Sequence, residues 1–180
     1  MKDVSPELVV AWRAAGLYPE TSLGAFASRT AAHAPHAPLV MATAAGGETV
    51  HDLGTIHRRA ACLAAGFRRV GLQPGDVVAV QMQNAVETVI THAAVAHAGL
   101  VLLPIIHIYA ATELSFVLAQ SGARAIITPH HSKDIDHRKR IRAVAPKGVL
   151  HIRVGAPADD PLAWENLAAC YPMPEPAPRR

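Results

Sequence analysis

Two hydrophobic periods divide the chain. Leu53, Ile56, Ala60, Leu63, Phe67 and Val70 recur at three- and four-residue spacing, which places them on one stripe of a helix that Gly71 ends. Downstream, short apolar runs at residues 77–82, 100–105, 125–128 and 149–154 read as strands, the second closed by Pro104. Amphipathic stretches separate them. One helix runs from an Asn84/Glu87 capping pair to His97 or Ala98, where Gly99 stops it; the next covers residues 111–120, buries Leu114, Val117 and Leu118, and ends near Gly122. A further helix, capped by Ser132, continues through Ile135, Ile141 and Val144 to Pro146. Strand, helix and strand in repetition predict right-handed βαβ crossovers, hence an α/β fold with a parallel sheet flanked by helices.

Ahead of this series, residues 39–43 and 48–50 flank Gly46-Gly47, a pair able to take the positive φ angles of a tight turn, so a small β-hairpin is expected. It leads into the first helix, with Thr49 as cap and Asp52 reaching back to it. The stretch before residue 38 carries Trp12, Leu17, Tyr18, Leu23 and Phe26, with Thr21 and Ser22 placed to cap a helix over residues 25–32 that Pro35 and Pro38 end. We read residues 1–38 as a docking arm, 39–154 as the βαβ lobe, and 155–180 as a connector punctuated by Pro157, Pro172, Pro174, Pro176 and Pro178 around Trp164 and Leu167. An ordered βαβ series followed by a Pro-rich connector predicts further polypeptide after Arg180.

Composition narrows the picture. Apolar residues make up 51% of the chain, but 35 are Ala and only eight are aromatic, so the core is expected from Leu, Val, Ile and closely packed Ala. Seventeen basic against fourteen acidic residues give +3, too small an excess to predict a nucleic-acid surface. Cys62 and Cys170 lie far apart with no Cys-x-x-Cys spacing, which argues against a disulfide framework or thiolate metal site. Asp3, Pro6 and Glu7 stand where a secretory leader needs apolar residues, so a cytoplasmic location is expected. His92, His97, Gly99 and Pro104 interrupt the most apolar stretch, residues 89–106, and no membrane span is expected there.

The chemical inventory is thin. The sequence contains no Gly-x-Gly-x-x-Gly turn, no Gly-x-x-x-x-Gly-Lys-Ser/Thr loop, no Gly-x-Ser-x-Gly elbow and no His-Glu-x-x-His. His130, His131, Asp134, Asp136 and His137 offer nitrogen and oxygen ligands close together. Their placement in a turn after a strand and on an exposed helix face makes a solvated surface the better reading. Arg138, Lys139, Arg140 and Arg142 could touch phosphate, yet around Ile141 they form an ordinary polar helix face without interleaved aromatics. Cys62 reads as a small buried thiol, and Met41 and Met82 as core fillers. No catalytic, cofactor-binding or metal-binding residue is assigned.

Several segments, in order, nevertheless resemble one family. Residues 12–18 (Trp-Arg-Ala-Ala-Gly-Leu-Tyr) resemble the opening segment of AMP-forming acyl-CoA ligases, and residues 49–53 (Thr-Val-His-Asp-Leu) its Thr-Tyr-x-Glu-Leu, with Val50 and Asp52 as substitutions. Residues 71–80 (Gly-Leu-Gln-Pro-Gly-Asp-Val-Val-Ala-Val) resemble its Gly-Val-x-Pro-Gly-Asp-x-Val strand entry. Asn84, Glu87, Ala98-Gly99 and Pro104 match its Asn-x-x-Glu helix and Ala-Gly-x-x-x-x-Pro turn; His107-Ile108-Tyr109-Ala110, Glu113-Leu114, Leu118, Ser121-Gly122-Ala123 and Ile126-Ile127-Thr128 are similar to the helix and strand that follow, with His-x-Tyr like the cyclohexanecarboxylate ligase branch.

The resemblance implies the N-terminal lobe of the adenylate-forming ligase fold. It also implies an ATP-dependent reaction in which a carboxylate attacks the α-phosphate and the acyl group of the adenylate then passes to a thiol such as coenzyme A. In that family a Ser/Thr/Gly-rich loop with Lys, a later Glu, a ribose-gripping Asp and a C-terminal Lys handle ATP and Mg²⁺. None of these lies within these 180 residues, so the chain is expected to be a truncated lobe, inactive alone, holding no cofactor itself. Two alternatives carry different expectations. A non-catalytic interaction module would form a homodimer or bind a partner through the exposed lobe surface. A flavodoxin-like ligand-binding domain would hold a pocket at the carboxyl ends of the strands, near Gln83, His107 and His130.

Overall fold

The first two helices start where serine hydroxyls satisfy free amides. A computed structural model describes residues 4–17, 21–42, 46–132, 135–169 and 171–178; Asp3, Tyr18, Thr43, Asp134, Cys170 and Arg180 lie outside these residues. Ser5 accepts from the Leu8 N–H to open α1 (Pro6–Ala14), none of whose residues is buried. Ser22 accepts from the Ala25 N–H at α2 (Leu23–His33), longer at both ends than the pattern predicts.

The hairpin pairs β1 (Pro38–Ala42) with β2 (Glu48–Asp52), antiparallel, with Pro38 opposite Asp52 and Ala42 opposite Glu48. The pairing runs further than expected, so Thr49 lies inside β2 and does not cap the next helix. Asp52 does, accepting from the Thr55 N–H at 2.7 Å to start α3 (Leu53–Arg69). The carboxylate is the better cap because it closes the strand with extended backbone, φ −84° and ψ 145°, and its charge faces the positive helix start.

β3 (Val77–Val80), α4 (Val86–His97), β4 (Val101–Pro104), α5 (Ala111–Ser121) and β5 (Ala125–Pro129) follow as expected. The Asn84/Glu87 box does not form: α4 begins after Ala85 without a side-chain cap, and the Thr88 hydroxyl donates instead to the Gln83 carbonyl at 2.6 Å. A two-residue ladder unread in the sequence, β6 (His131–Ser132) against β7 (Ile135–Asp136), comes next. Ser132 is paired in this ladder, and Asp136, the residue directly before the helix, caps α6 (His137–Val144) by accepting from the Lys139 N–H at 2.9 Å. β8 (Leu150–Val154) completes the sheet, and α7 (Trp164–Ala168) follows.

The four long strands are parallel in the order β4-β3-β5-β8. Alternation along them sorts two cores. Val78, Val80, Ala125, Ile127 and Ile152 face α3, α4 and α7, whereas Ala79 and Ile126 face Leu114 and Leu118 of α5 and Ile141 of α6. With both faces dry, the strands read as unbroken apolar runs. Between α3 and α4 the filling is Ala60, Ala64, Ala94 and Ala98, all fully buried, which answers the alanine-rich composition.

Both sheet edges are blunted. The Val101 and Ile105 N–H groups donate to β3-side carbonyls of Asp76 and Val80, so by alternation Leu102 and Pro104 turn to the open edge, where a proline has no N–H to leave unpaired. On the other side the Arg153 N–H donates to Leu162, and its guanidinium pairs with Asp160.

The C-terminal segment lies along α3 and α4. The Trp164 indole donates to Thr91 Oγ1 at 2.9 Å in the interior, and the Met173 and Ala177 N–H groups donate to Ala61 and His97 carbonyls. Gly66 lets α7 approach: a Cβ there would overlap the backbone carbonyl of Leu167. Gly66→Ala should destabilise the fold by about 1–3 kcal/mol, read as a thermal midpoint lower by several degrees; an unchanged midpoint would show that α7 is not packed on α3.

Candidate functional site

The topology leaves one crevice. β3 connects through α4 to β4 on one side, and β5 connects through α6 to β8 on the other, with α4 and α6 on opposite faces. The strand order therefore reverses between β3 and β5, where open α/β sheets leave room for ligands at the carboxyl ends. A cavity of about 240 Å³ sits there, lined by Gln81, Gln83, His107, Ser132, His137 and Arg140 together with apolar residues.

Gln81 is the first residue after β3 and only 1% exposed. Its main-chain N–H donates to Ile127, and its Nε2 donates to the Ile106 and Tyr109 carbonyls at 3.2 and 2.9 Å, so one side chain fixes the loop after β4. Gln81 Oε1 is buried without a hydrogen-bond partner among the described residues. His137 opens α6 and is buried, with Nε2 paired to Ser132 Oγ at 2.8 Å and Nδ1 unpartnered. Burial first, then the Arg140 charge, push its pKa below the usual histidine value, against a smaller opposing pull from Asp136.

These placements correct part of the sequence reading. His137 does not lie on an exposed helix face: it is buried, and its Nε2 pairs with the Ser132 hydroxyl. Arg140 likewise lines the cavity, while Arg138, Lys139 and Arg142 of the same run are exposed. Gln83 and His107 come together at the cavity mouth as the ligand-binding alternative expects. His130 stacks edge-on against His131 at 4.4 Å, outside that lining. Among the described residues no three His, Cys, Asp or Glu side chains are grouped to hold a metal ion, and Asp136 is engaged in capping. Cys62 is half-buried on α3. Gln81 was the residue missed; its signal was a lone amide closing an apolar strand.

Further concavities lie outside the crevice. One of about 720 Å³ lies between α2, α4 and the β4 edge, among Leu23, Phe26, His92, Leu100 and Val101. Another of about 470 Å³ is rimmed by Arg138, Arg142, Lys147, His151 and Arg153. His151 Nε2 pairs with Thr128 Oγ1 at 2.8 Å. Burial, then the neighbouring Arg153, lower the His151 pKa to about 3.

Comparison with known proteins points in one direction. A family model described as "AMP-binding enzyme" matches residues 28–179. Feruloyl-CoA synthase from Amycolatopsis sp is 33% identical over 147 residues, 81% of this chain and 29% of that protein. A 2-hydroxy-7-methoxy-5-methyl-1-naphthoate–CoA ligase from Streptomyces carzinostaticus is 26% identical over 169 residues, 93% of this chain and 30% of that protein. Among solved structures, apo MbtA from Mycobacterium smegmatis superposes with a TM-score of 0.77 at 27% identity, covering 99% of this chain and 33% of that one. The chain thus spans about a third of the length of these relatives.

The buried histidine generates a pH prediction. Unfolded His151 takes up a proton near its ordinary value of 6.5, whereas folded His151 stays neutral down to about 3. Between those values the unfolded state binds more protons, so stability falls as pH falls. His57, His92, His97 and His137, all lowered by burial, act in the same direction. The urea midpoint should therefore drop between about pH 7 and about pH 4, while the His151 Hε1 resonance stays flat over that range. A His151 titration near the ordinary histidine value would contradict this.

Proposed function

The chain belongs to the AMP-binding enzyme family, and on that premise we propose that it supplies the N-terminal lobe of an ATP-dependent acid–thiol ligase. The observation that carries the reading is the match over residues 28–179, joined by the agreement in fold with apo MbtA across nearly the whole chain. The complete reaction would convert a carboxylic acid and ATP to an acyl-adenylate and pyrophosphate, and then to a thioester, using Mg²⁺ and coenzyme A.

The residues here do not fit those groups. Nucleotide phosphates need clustered backbone donors or a cationic loop, and the sequence has no glycine-rich phosphate loop. Among the described residues no trio of carboxylates or histidines could hold a metal ion. No step of the reaction is therefore assigned to these side chains. Their role in this reading is structural, a rigid lobe against which the nucleotide-handling portion folds, with no adenylation by the 180 residues alone.

A second reading has its own observation. Val101 on β4, Ile106 and Ile108 in the loop after it, and Phe116 on α5 are exposed, apolar surface suited to a second copy of the chain. Under that reading the protein is a non-catalytic homodimer.

ATP–pyrophosphate exchange separates the possibilities. With Mg²⁺ and an acid panel including ferulate, the chain alone should give no exchange, and fusion to the C-terminal two thirds of the Amycolatopsis relative should restore it. Exchange by the chain alone would overturn the assignment of inactivity. A stable dimer in sedimentation, with no exchange by the fusion, would favour the second reading.

A further inference from the structure

The basic run of α6 does not stay on one face. Arg140 lines the crevice, whereas Arg138 and Arg142, one helical turn apart, line the concavity of about 470 Å³ between α6 and β8. Lys147, in the turn after the helix, and Arg153 of β8 complete its cations. The concavity arises at the edge of the sheet. Ile141 joins Ile126 of β5 in the core, and beyond it Val149, His151 and Arg153 of the outermost strand are only partly covered.

The rim is accessible and its charges are available. Arg138, Arg142 and Lys147 are exposed and form no ion pair among the described residues. Asp160 is committed to the Arg153 guanidinium, and Asp136 to the Lys139 N–H. Burial opposes ionisation of Asp160, yet its pKa lies below the ordinary value through hydrogen bonds from Arg153 and the Leu162 N–H and through the charges of Arg153 and Arg138. The Arg138 charge is thus felt on the β8 side, and helix and strand bring their cations to one space.

Like charges gathered around a concavity repel one another, and an anion seated among them relieves each repulsion at once. Guanidinia suit phosphoryl oxygens, and two of them one turn apart, with Cβ atoms about 5–6 Å from each other, suit two linked oxyanion groups better than one. The volume falls within the range of roughly 300–1,000 Å³ usual for small-molecule sites, which leaves room for more than a bare anion. Ala145, Pro146 and Val149 offer that remainder an apolar wall. No Phe, Tyr or Trp stands among the described lining residues to stack a base, so a nucleotide or a nucleic acid fits less well.

We propose that the concavity between α6 and β8 binds a diphosphate monoester with a short apolar body, its phosphoryl groups bridging Arg138 and Arg142 beside Lys147 and its body against Ala145, Pro146 and Val149. The spacing of the two arginines selects the diphosphate, and the wall selects the ester over the free anion.

Calorimetry on the 180-residue chain at about 0.15 M salt tests this with dimethylallyl diphosphate, dimethylallyl monophosphate and inorganic diphosphate. The diphosphate ester should bind at least about tenfold more tightly than the monophosphate, and several-fold more tightly than inorganic diphosphate. Arg142→Gln and Arg138→Gln should each weaken it about tenfold at an unchanged thermal midpoint. Lys139→Gln removes the same charge from the same helix outside the concavity and should change binding less than about twofold. The Nε resonances of Arg138 and Arg142 should shift with the ester. No binding by the ester, equal losses in Arg142→Gln and Lys139→Gln, inorganic diphosphate binding as tightly as the ester, or a short DNA duplex binding more tightly than it would overturn the proposal. None of these readouts involves adenylation, so failure here leaves the lobe assignment standing.

Discussion

Dryness on both faces of β3 and β5 is the constraint from which the rest of the architecture follows. A parallel strand cannot turn back beside itself, so each must be followed by a crossover, and each crossover helix must cover one face of the sheet. Val78 and Val80 need α3 and α4 while Ala79 between them needs α5 and α6, which obliges the chain to distribute helices to both sides. Once α4 has gone to one face and α6 to the other, the carboxyl ends of β3 and β5 have no helix between them. The crevice is thus a by-product of covering the sheet, and whatever residues end those two strands become its lining.

That logic also explains which parts of the molecule were legible in the residues. Periodicity located the four long strands and the helices between them because packing on two faces leaves an unmistakable apolar pattern, as in Ala125-Ile126-Ile127. Caps were less legible. Thr49, Asn84 and Ser132 all have the right chemistry, but each loses its place to the observed geometry: a longer hairpin, an uncapped start after Ala85, and the β6–β7 ladder. A hydroxyl or amide can cap only where the chain enters the helix with extended backbone, and that entry point is decided by what the preceding segment pairs with. His137 was misplaced for a related reason, since Ser132, paired in the β6–β7 ladder, meets its ring and leaves it buried.

The segment after β8 shows how little exposed sequence character says about docking. Its prolines mark a chain with few backbone donors, yet Trp164 reaches Thr91 in the core, and Met173 and Ala177 contribute their amides to α3 and α4 carbonyls. The glycines opposite are the complementary signal. Gly66 admits the Leu167 backbone, and Gly99, with φ +69°, lies where a Cβ would crowd Ala177. A residue within α3 and one just past α4 thus record where a later segment passes, and the family match, which runs to residue 179, includes that segment.

Gln81 draws the structural and chemical arguments together. It stands one residue beyond β3, where the dry face ends, and an amide there can serve two masters. Its nitrogen holds the loop after β4 by accepting none and donating twice, so the loop's position and the direction of Oε1 are set by the same pair of bonds. An apolar residue could fill the space but could not organise two carbonyls, and a carboxylate would repel both. The same pair of bonds leaves Oε1 buried without a hydrogen-bond partner among the described residues, the cost of organising the loop from the interior. The residue that ends the dry face of β3 is therefore also the one that holds the loop after β4.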